Sequence, residues 1–340
     1  MKRRHMIAAI AATALPGPSW ADTATWADIE AKARQEGAVT IYHNFFPSGA
    51  PGIVNAFTQK YPDIAVREVR LPSARYYQRF SAEYTAGKVL ADVSVNALDD
   101  TMLDWKKNNW IARWQPPEGD SIPASMWYDD QFWGVQVIRQ IFIYNSRLIQ
   151  RAAAPFEWAD LFDPKWKGRI GLDEPWRSVG PLQCMKLLEN NLHIDSAEKF
   201  KAQDARFFTG AAGVLQAVIR GDVAIGQMAD LALTQALEDG APVRAVYPIS
   251  GVTYVTNAVC VSQDAPHPNA GRVLANWLMS LPGQVALQKF SGSPGVRADL
   301  PAHEFLPPNR DINAIDGRKL LSRADADKLI ADWRRVFGVT

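Results

Sequence analysis

The chain has 340 residues, of which 47% are hydrophobic and 21% charged. That is enough apolar material for two ordinary cores, and it excludes a disordered chain; with only two cysteines, Cys184 and Cys260, a disulfide-built scaffold is excluded as well. Thirty-seven Lys and Arg against 36 Asp and Glu leave a net charge of +1 with no basic block, so nucleic acid is excluded as a partner.

The first 21 residues differ from the rest. Lys2, Arg3 and Arg4 precede an apolar, Ala-rich run over residues 6–15, and Ser19-Trp20-Ala21 forms a small-x-small cleavage site. A membrane span needs about 20 apolar residues and this run has about ten. The pattern predicts a secretory signal removed after Ala21 and a periplasmic protein. The three basic residues leave with the signal, which turns the charge balance slightly acidic.

Residues 26–36 predict a helix stopped by Gly37, residues 39–42 a strand, and Ile53, Phe57 and Tyr61 one face of a helix with Pro51 in its first turn. Residues 64–71 predict a second strand, Ser73 the cap of a helix with Tyr77, Phe80 and Tyr84 on one face, and residues 93–95 a third strand. The Trp- and Pro-rich residues 110–133 suit a passage between two lobes, and residues 135–144 supply one long strand or two short ones. Strands follow at 169–172, 223–226, 243–247 and 254–261, and helices at 182–188, 214–219, 270–279, after Pro282-Gly283, and at 325–337, where Leu329, Trp333 and Phe337 share a face. Such alternation predicts an α/β fold with parallel sheets flanked by helices.

Several segments occur in a telling order: Gly37-Ala38-Val39-Thr40-Ile41-Tyr42, Ala86-Gly87-Lys88 leading to Ala91-Asp92-Val93, Asp163-Pro164-Lys165-Trp166-Lys167-Gly168, Gly221-Asp222-Val223-Ala224-Ile225-Gly226, and Ala265-Pro266-His267-Pro268-Asn269. Through them the chain resembles the periplasmic substrate-binding proteins of ABC importers, in the branch that includes ferric-ion, thiamine, polyamine and phosphonate binders. The resemblance covers nearly all of the chain after the signal. It implies a type II periplasmic binding protein fold: two lobes, each a mostly parallel sheet flanked by helices, with a ligand cleft between them that closes over the solute. It also implies one lobe from residues 22–128 and 251–300 and another from 129–250 and 301–340. The implied partners are a small-molecule solute and a membrane-embedded ABC permease, for a monomer that needs no cofactor and performs no chemistry.

In open parallel sheets, ligands sit at the carboxyl ends of strands. Asn44, Phe45 and Ser48 follow the first strand, Ser73 the second and Asn96 the third. Trp176, Arg177 and Ser178 precede the helix containing Cys184, and Thr209 and Gly210 open the next one. Helix starts attract anions through unpaired N–H groups and the helix dipole, although Ser and Thr there also act as plain caps. Arg75, Arg139 and above all Arg177 offer guanidinium forks to a carboxylate or phosphonate, with an ordinary ion pair as the competing reading for each. Phe45, Phe46, Trp176 and Tyr254 are candidate walls. Asp230, with Asp99, Asp173 and Glu174, would serve a polyamine.

Ferric-ion members of the family resemble one another in carrying adjacent tyrosines shortly after the segment equivalent to residues 221–226. Here residues 227–232 read Gln-Met-Ala-Asp-Leu-Ala, and the tyrosines are missing. The expected ligand is therefore a small anionic organic solute (phosphonate, phosphate ester or carboxylate), with ferric ion carried alongside an anion, polyamine and thiamine as alternatives. The five histidines are scattered, and no G-x-S-x-G, H-E-x-x-H or phosphate-loop pattern occurs. Cys184 falls in a second-lobe helix and Cys260 in a first-lobe strand. A bridge between them would tie the lobes together, so both are expected as buried free thiols.

Overall fold

The computed structural model describes residues 25–45, 48–71, 73–98, 100–308 and 311–339. The expected signal, Phe46 and Asp99 lie outside them. Helix α1 (Trp26–Glu36) starts at a capping box between Thr25 and Asp28 and stops at Gly37, whose φ of 67° suits glycine. Then β1 (Ala38–His43), α2 (Ala50–Lys60), β2 (Ala65–Arg70), α3 (Ser73–Thr85) and β3 (Val93–Ala97) alternate, and β2, β1 and β3 pair side by side in parallel. After α4 (Asp100–Lys107) come β4 (Trp127–Tyr128) and β5 (Phe132–Asn145). A second α/β run comprises β6 (Ile170–Asp173), α5 (Val179–Leu192), α6 (Ser196–Ala202), β7 (Arg206–Phe208), α7 (Gly210–Arg220) and β8 (Ile225–Ala229), with β6 parallel to both β7 and β8. The chain ends with α8 (Leu233–Glu238), β9 (Val243–Val246), β10 (Val252–Val261), α9 (Pro268–Met279), α10 (Leu281–Ser291), β11 (Ala314–Asp316) and α11 (Arg323–Phe337). Among the described residues no helix is long and apolar enough to cross a membrane.

Two long antiparallel strands join the two sheets. β10 pairs with β3 through residues 257–261 and with β5 through residues 254–259. β5 changes neighbours along its length: residues 133–139 pair with β10, residues 140–144 with β8, and residues 142–145 also with β9. The apolar stretch after residue 131 is therefore one strand that belongs to both sheets. Residues 110–133 do not carry the chain across, contrary to expectation. Trp114 meets Trp133 edge-on at 5.6 Å, and Trp127 Nε1 donates to the Ile122 carbonyl at 2.9 Å, so this stretch packs on the first core.

Each sheet is apolar on both faces, as parallel sheets covered by helices must be. In the first, Val39, Val95 and Val259 lie against Phe57 and Trp277 of α2 and α9, while on the other side Tyr42 and Cys260 meet Tyr76, Phe80 and Trp105. Among the described side chains of α3, Tyr76 and Phe80 are the fully buried ones and Tyr77 and Tyr84 flank them; Trp105 stacks on Tyr76 at 5.5 Å and on Phe80 at 4.1 Å. In the second sheet, Phe142, Leu172 and Ile225 pack under α5 and Trp333 of α11, and Ile141 and Ile143 under Val214 and Val218 of α7. Cys184 and Cys260 are free and buried, in α5 and β10 as expected.

Candidate functional site

Successive strand residues point to opposite faces. Val255 and Asn257 thus share one face of β10, and Tyr254 and Thr256 share the other. On the first face, Asn257 Nδ2 donates to Asn44 Oδ1 at 3.0 Å and to Gln136 Oε1 at 2.9 Å. Asn44 Nδ2 donates to Asn96 Oδ1 at 2.9 Å, and Gln136 Nε2 to Ser291 Oγ at 2.7 Å. This amide chain fastens the carboxyl ends of β1 and β3 to the joint.

Two residues along β10 from Asn257, roughly 7 Å at strand spacing, the first turn of α5 reaches the same face. A Cβ on Gly180 would lie 2.6 Å from Gln140 Nε2 and 3.7 Å from a Val255 methyl, so glycine is what lets this backbone approach. Gln140 Oε1 in turn accepts from Gln227 Nε2 at 2.8 Å. Ser178 holds the N-cap position of α5, but its exposed side chain makes no capping bond. The N–H groups of Val179 and Gly180 donate to no described residue, and Pro181 has none to donate.

The start of α7 is occupied. Gly210, left-handed at φ 73°, donates its N–H to Asp173 Oδ1 at 3.0 Å, and Thr209 Oγ1 donates to Glu174 Oε2 at 3.1 Å. Burial pushes the Asp173 carboxyl up to about 6 against the pull of the Gly210 N–H, and Glu174 adds to the rise. Arg177 pairs with Glu174 at 3.3 Å, within its own loop.

Arg139 and Asp230 lie on the face opposite Gln140, and both are fully buried. Arg139 Nε donates to Asp230 Oδ2 at 2.6 Å and its backbone N–H to Oδ1 at 3.1 Å, while the guanidinium also reaches the Pro307 carbonyl at 2.6 Å and the Tyr247 hydroxyl at 3.3 Å. Burial raises the Asp230 carboxyl and Arg139 opposes the rise. Tyr254, half-buried and directly across from Arg139 in the β10–β5 pairing, lines a cavity of about 340 Å³ with Met126, Gln288 and Pro308.

The other candidates are dispersed. Phe45 is buried in the first core and stacks on His43 at 4.8 Å. His43 Nδ1 accepts the Phe45 N–H at 3.2 Å, and burial pushes the imidazole down to about 4. Ser48 is an exposed turn residue, and Arg75 is exposed on α3. Ser73 begins that helix, with its side chain outside the described set. Trp176 leans on Phe207 at 4.6 Å. Asn44, Asn96 and Ser178 are therefore drawn toward one face of the joint, whereas Arg139, Asp230 and Tyr254 occupy the other. Gln136, Gln140, Gln227 and Asn257 escaped the sequence reading. Their signal was a polar residue inside an otherwise apolar strand, as in Val135-Gln136-Val137 and Ile225-Gly226-Gln227-Met228. Among the described residues no group of three or more His, Cys, Asp and Glu is placed to hold a metal.

Residues 52–312 match the bacterial extracellular solute-binding proteins as a family. A protein of Salmonella typhi, provisionally named a 2-aminoethylphosphonate-binding periplasmic protein, is 25% identical over 181 residues, which is 47% of this chain and 50% of that one. The chain thus spans about half the length of the curated relatives it matches. Among solved structures, iron-bound HitA from Pseudomonas aeruginosa superposes with a TM-score of 0.74 at 19% identity, covering 87% of this chain and 99% of that one. The periplasmic binding protein AfuA from Actinobacillus pleuropneumoniae, with exogenous fructose-6-phosphate bound, gives 0.73 at 19% identity, covering 89% and 99%. These likenesses establish a two-lobe α/β periplasmic binding protein fold.

Proposed function

We propose, for a chain that belongs to the bacterial extracellular solute-binding proteins, that it is the exported solute-binding component of an ABC importer and captures a small anionic organic solute, a phosphonate, phosphate ester or carboxylate. The observation that carries this reading is the open N-terminus of α5 on the strands joining the lobes, where Ser178 and two backbone N–H groups have no partner among the described residues. The name of the Salmonella relative supports a phosphonate among these classes.

On this reading residues 22–128 and 251–300 form one lobe and 129–250 and 301–340 the other, with β5 and β10 as the joint. A solute touching both α5 and the Asn44 loop favours the closed arrangement by the contacts that the open one cannot make. The permease then recognises the closed shape. The protein acts as a monomer, catalyses nothing and needs no cofactor. A solute that also carries an ammonium group is the second reading, favoured by Asp173 and Glu174 at the strand end beside the same helix.

The test is a melting-temperature screen of the purified protein against phosphonates, sugar phosphates, di- and tricarboxylates, polyamines, thiamine and ferric citrate, followed by solution scattering of each binder. Stabilisation confined to phosphorylated, phosphonated or carboxylated compounds, with a smaller radius of gyration, is the expected result. Stabilisation by spermidine, thiamine or free ferric ion alone overturns the ligand class.

A further inference from the structure

Gly292 ends α10 in the left-handed region, at φ 66°. A Cβ there would lie 2.3 Å from the Leu231 carbonyl oxygen and 3.2 Å from Thr234 Oγ1. Thr234 is 2% exposed, and its hydroxyl donates to the Gly292 carbonyl at 3.0 Å. On the lobe division above, Gly292 belongs to one lobe and Leu231 and Thr234 to the other. Both sides of the contact are anchored. A Cβ on Gly49 would fall 1.9 Å from the Phe290 carbonyl oxygen, and one on Gly52 2.3 Å from the Phe290 ring, so the end of α10 is seated tightly on α2. Gln136 Nε2 donates to Ser291 Oγ at 2.7 Å, and Ser293 Oγ donates to the Val137 carbonyl, which stitches the same end to β5. Across the contact, Asp230 accepts from the backbone N–H and Nε of Arg139, and Leu233 is buried in the core of Val214 and Met228.

Resting on the two-lobe reading above, we infer that Gly292 is a positioning residue: its missing side chain sets how closely the lobes close on a solute, and Thr234 fastens them at that spacing. A left-handed helix end favours glycine in any case, as at Gly87, where φ is 65° and a Cβ would meet nothing within 4 Å. Gly292 differs in the carbonyl oxygen that stands against it. A methyl group there needs about 1 Å more room to reach ordinary contact, and a close-packed interior does not yield that locally. With both sides held, the room comes from turning one lobe against the other about β5 and β10, a displacement that grows with distance from the joint. A solute bridging the lobes then loses contacts on one side.

Electron–electron resonance between spin labels on Gln59→Cys and Lys199→Cys reads the spacing with no solute added; both sites are exposed, one in each lobe, and Cys184 and Cys260 are buried. Gly292→Ala should lengthen the mean distance by at least about 2 Å, because the labels lie farther from the joint than the contact does. Gly87→Ala carries the same left-handed strain in open space and should leave the distance unchanged. Thr234→Val keeps the shape but strands the Gly292 carbonyl until opening admits water, so it should broaden the distribution toward longer distances. It also serves if Gly292→Ala does not fold, and an unchanged distribution in Thr234→Val overturns the inference. An unchanged distance in Gly292→Ala, with a loss of melting temperature no larger than in Gly87→Ala, means that slack within one lobe absorbs the methyl group; the inference then falls and the two lobes stand. An unchanged distance with a far larger loss of melting temperature marks a single rigid body, and the two-lobe reading falls with it.

Discussion

Arg139→Met removes the cation of the buried pair with Asp230 while keeping most of the apolar stem. The bonds from Nε to Asp230 and from the guanidinium to Pro307 and Tyr247 are lost, and Asp230 retains the Arg139 backbone N–H. Removing one partner of a buried pair costs about 3–5 kcal/mol. The unfolding entropy of a 340-residue chain is about 0.7 kcal/mol per kelvin, so a loss of about 4 kcal/mol lowers Tm by about 6 °C at pH 7. The loss must depend on pH. Burial raises the Asp230 carboxyl already, and without Arg139 it rises further, so the folded variant keeps a proton that the unfolded chain releases above about pH 4. Variant stability therefore falls as pH rises beyond that point, by up to about 1.4 kcal/mol per unit, and the deficit shrinks toward pH 4. Scanning calorimetry of both proteins at pH 4.5, 6 and 7.5 measures it. A deficit of equal size at all three values would place the cost in lost packing and refute the argument from stranded charge.

The Asp173 carboxyl sits at about 6 in the fold against about 4 when unfolded, so the stability it contributes is present at low pH and is lost as pH rises through that window; urea melts should show Asp173→Asn removing a decline on the order of 2–3 kcal/mol. His43 behaves oppositely. Held down at about 4 against about 6.5 unfolded, it costs stability as pH falls through that range, and His43→Asn, which keeps an acceptor for the Phe45 N–H, should flatten the acid limb of the same melts. Cys184 and Cys260 are fully buried and burial raises both thiols, so Ellman's reagent should label neither in the native protein and both in urea; rapid native labelling of either would contradict the packing.

Much of the fold was legible because its signals are local. The capping residue Thr25 and the stop at Gly37 bracket α1, the spacing of Ile53 and Phe57 marks the buried face of α2, and β1, β8 and β10 are largely apolar runs. Residues 110–133 misled for the same reason: their prolines and tryptophans do signal an irregular segment, but nothing local says which core the tryptophans enter. Trp114 finds Trp133 through tertiary packing alone.

The choice of face along β5 was not legible in the sequence. Arg139 and Gln140 are neighbours in an apolar strand, and a rule that charged residues read charged ligands selects the arginine. A partner 91 residues away fixes the faces: Asp230 holds Arg139, and period-two alternation turns Gln140 to the face where α5 begins. The Asn257–Gln136 bond spans 121 residues and is equally invisible to a local pattern. A fully buried arginine needs its own counter-charge to exist in a core, so full burial argues against a role in capturing solute from water. Neutral amides carry no such requirement. They can stand in a core strand and look like misplaced polarity in the sequence, as Gln136 and Gln140 do in β5.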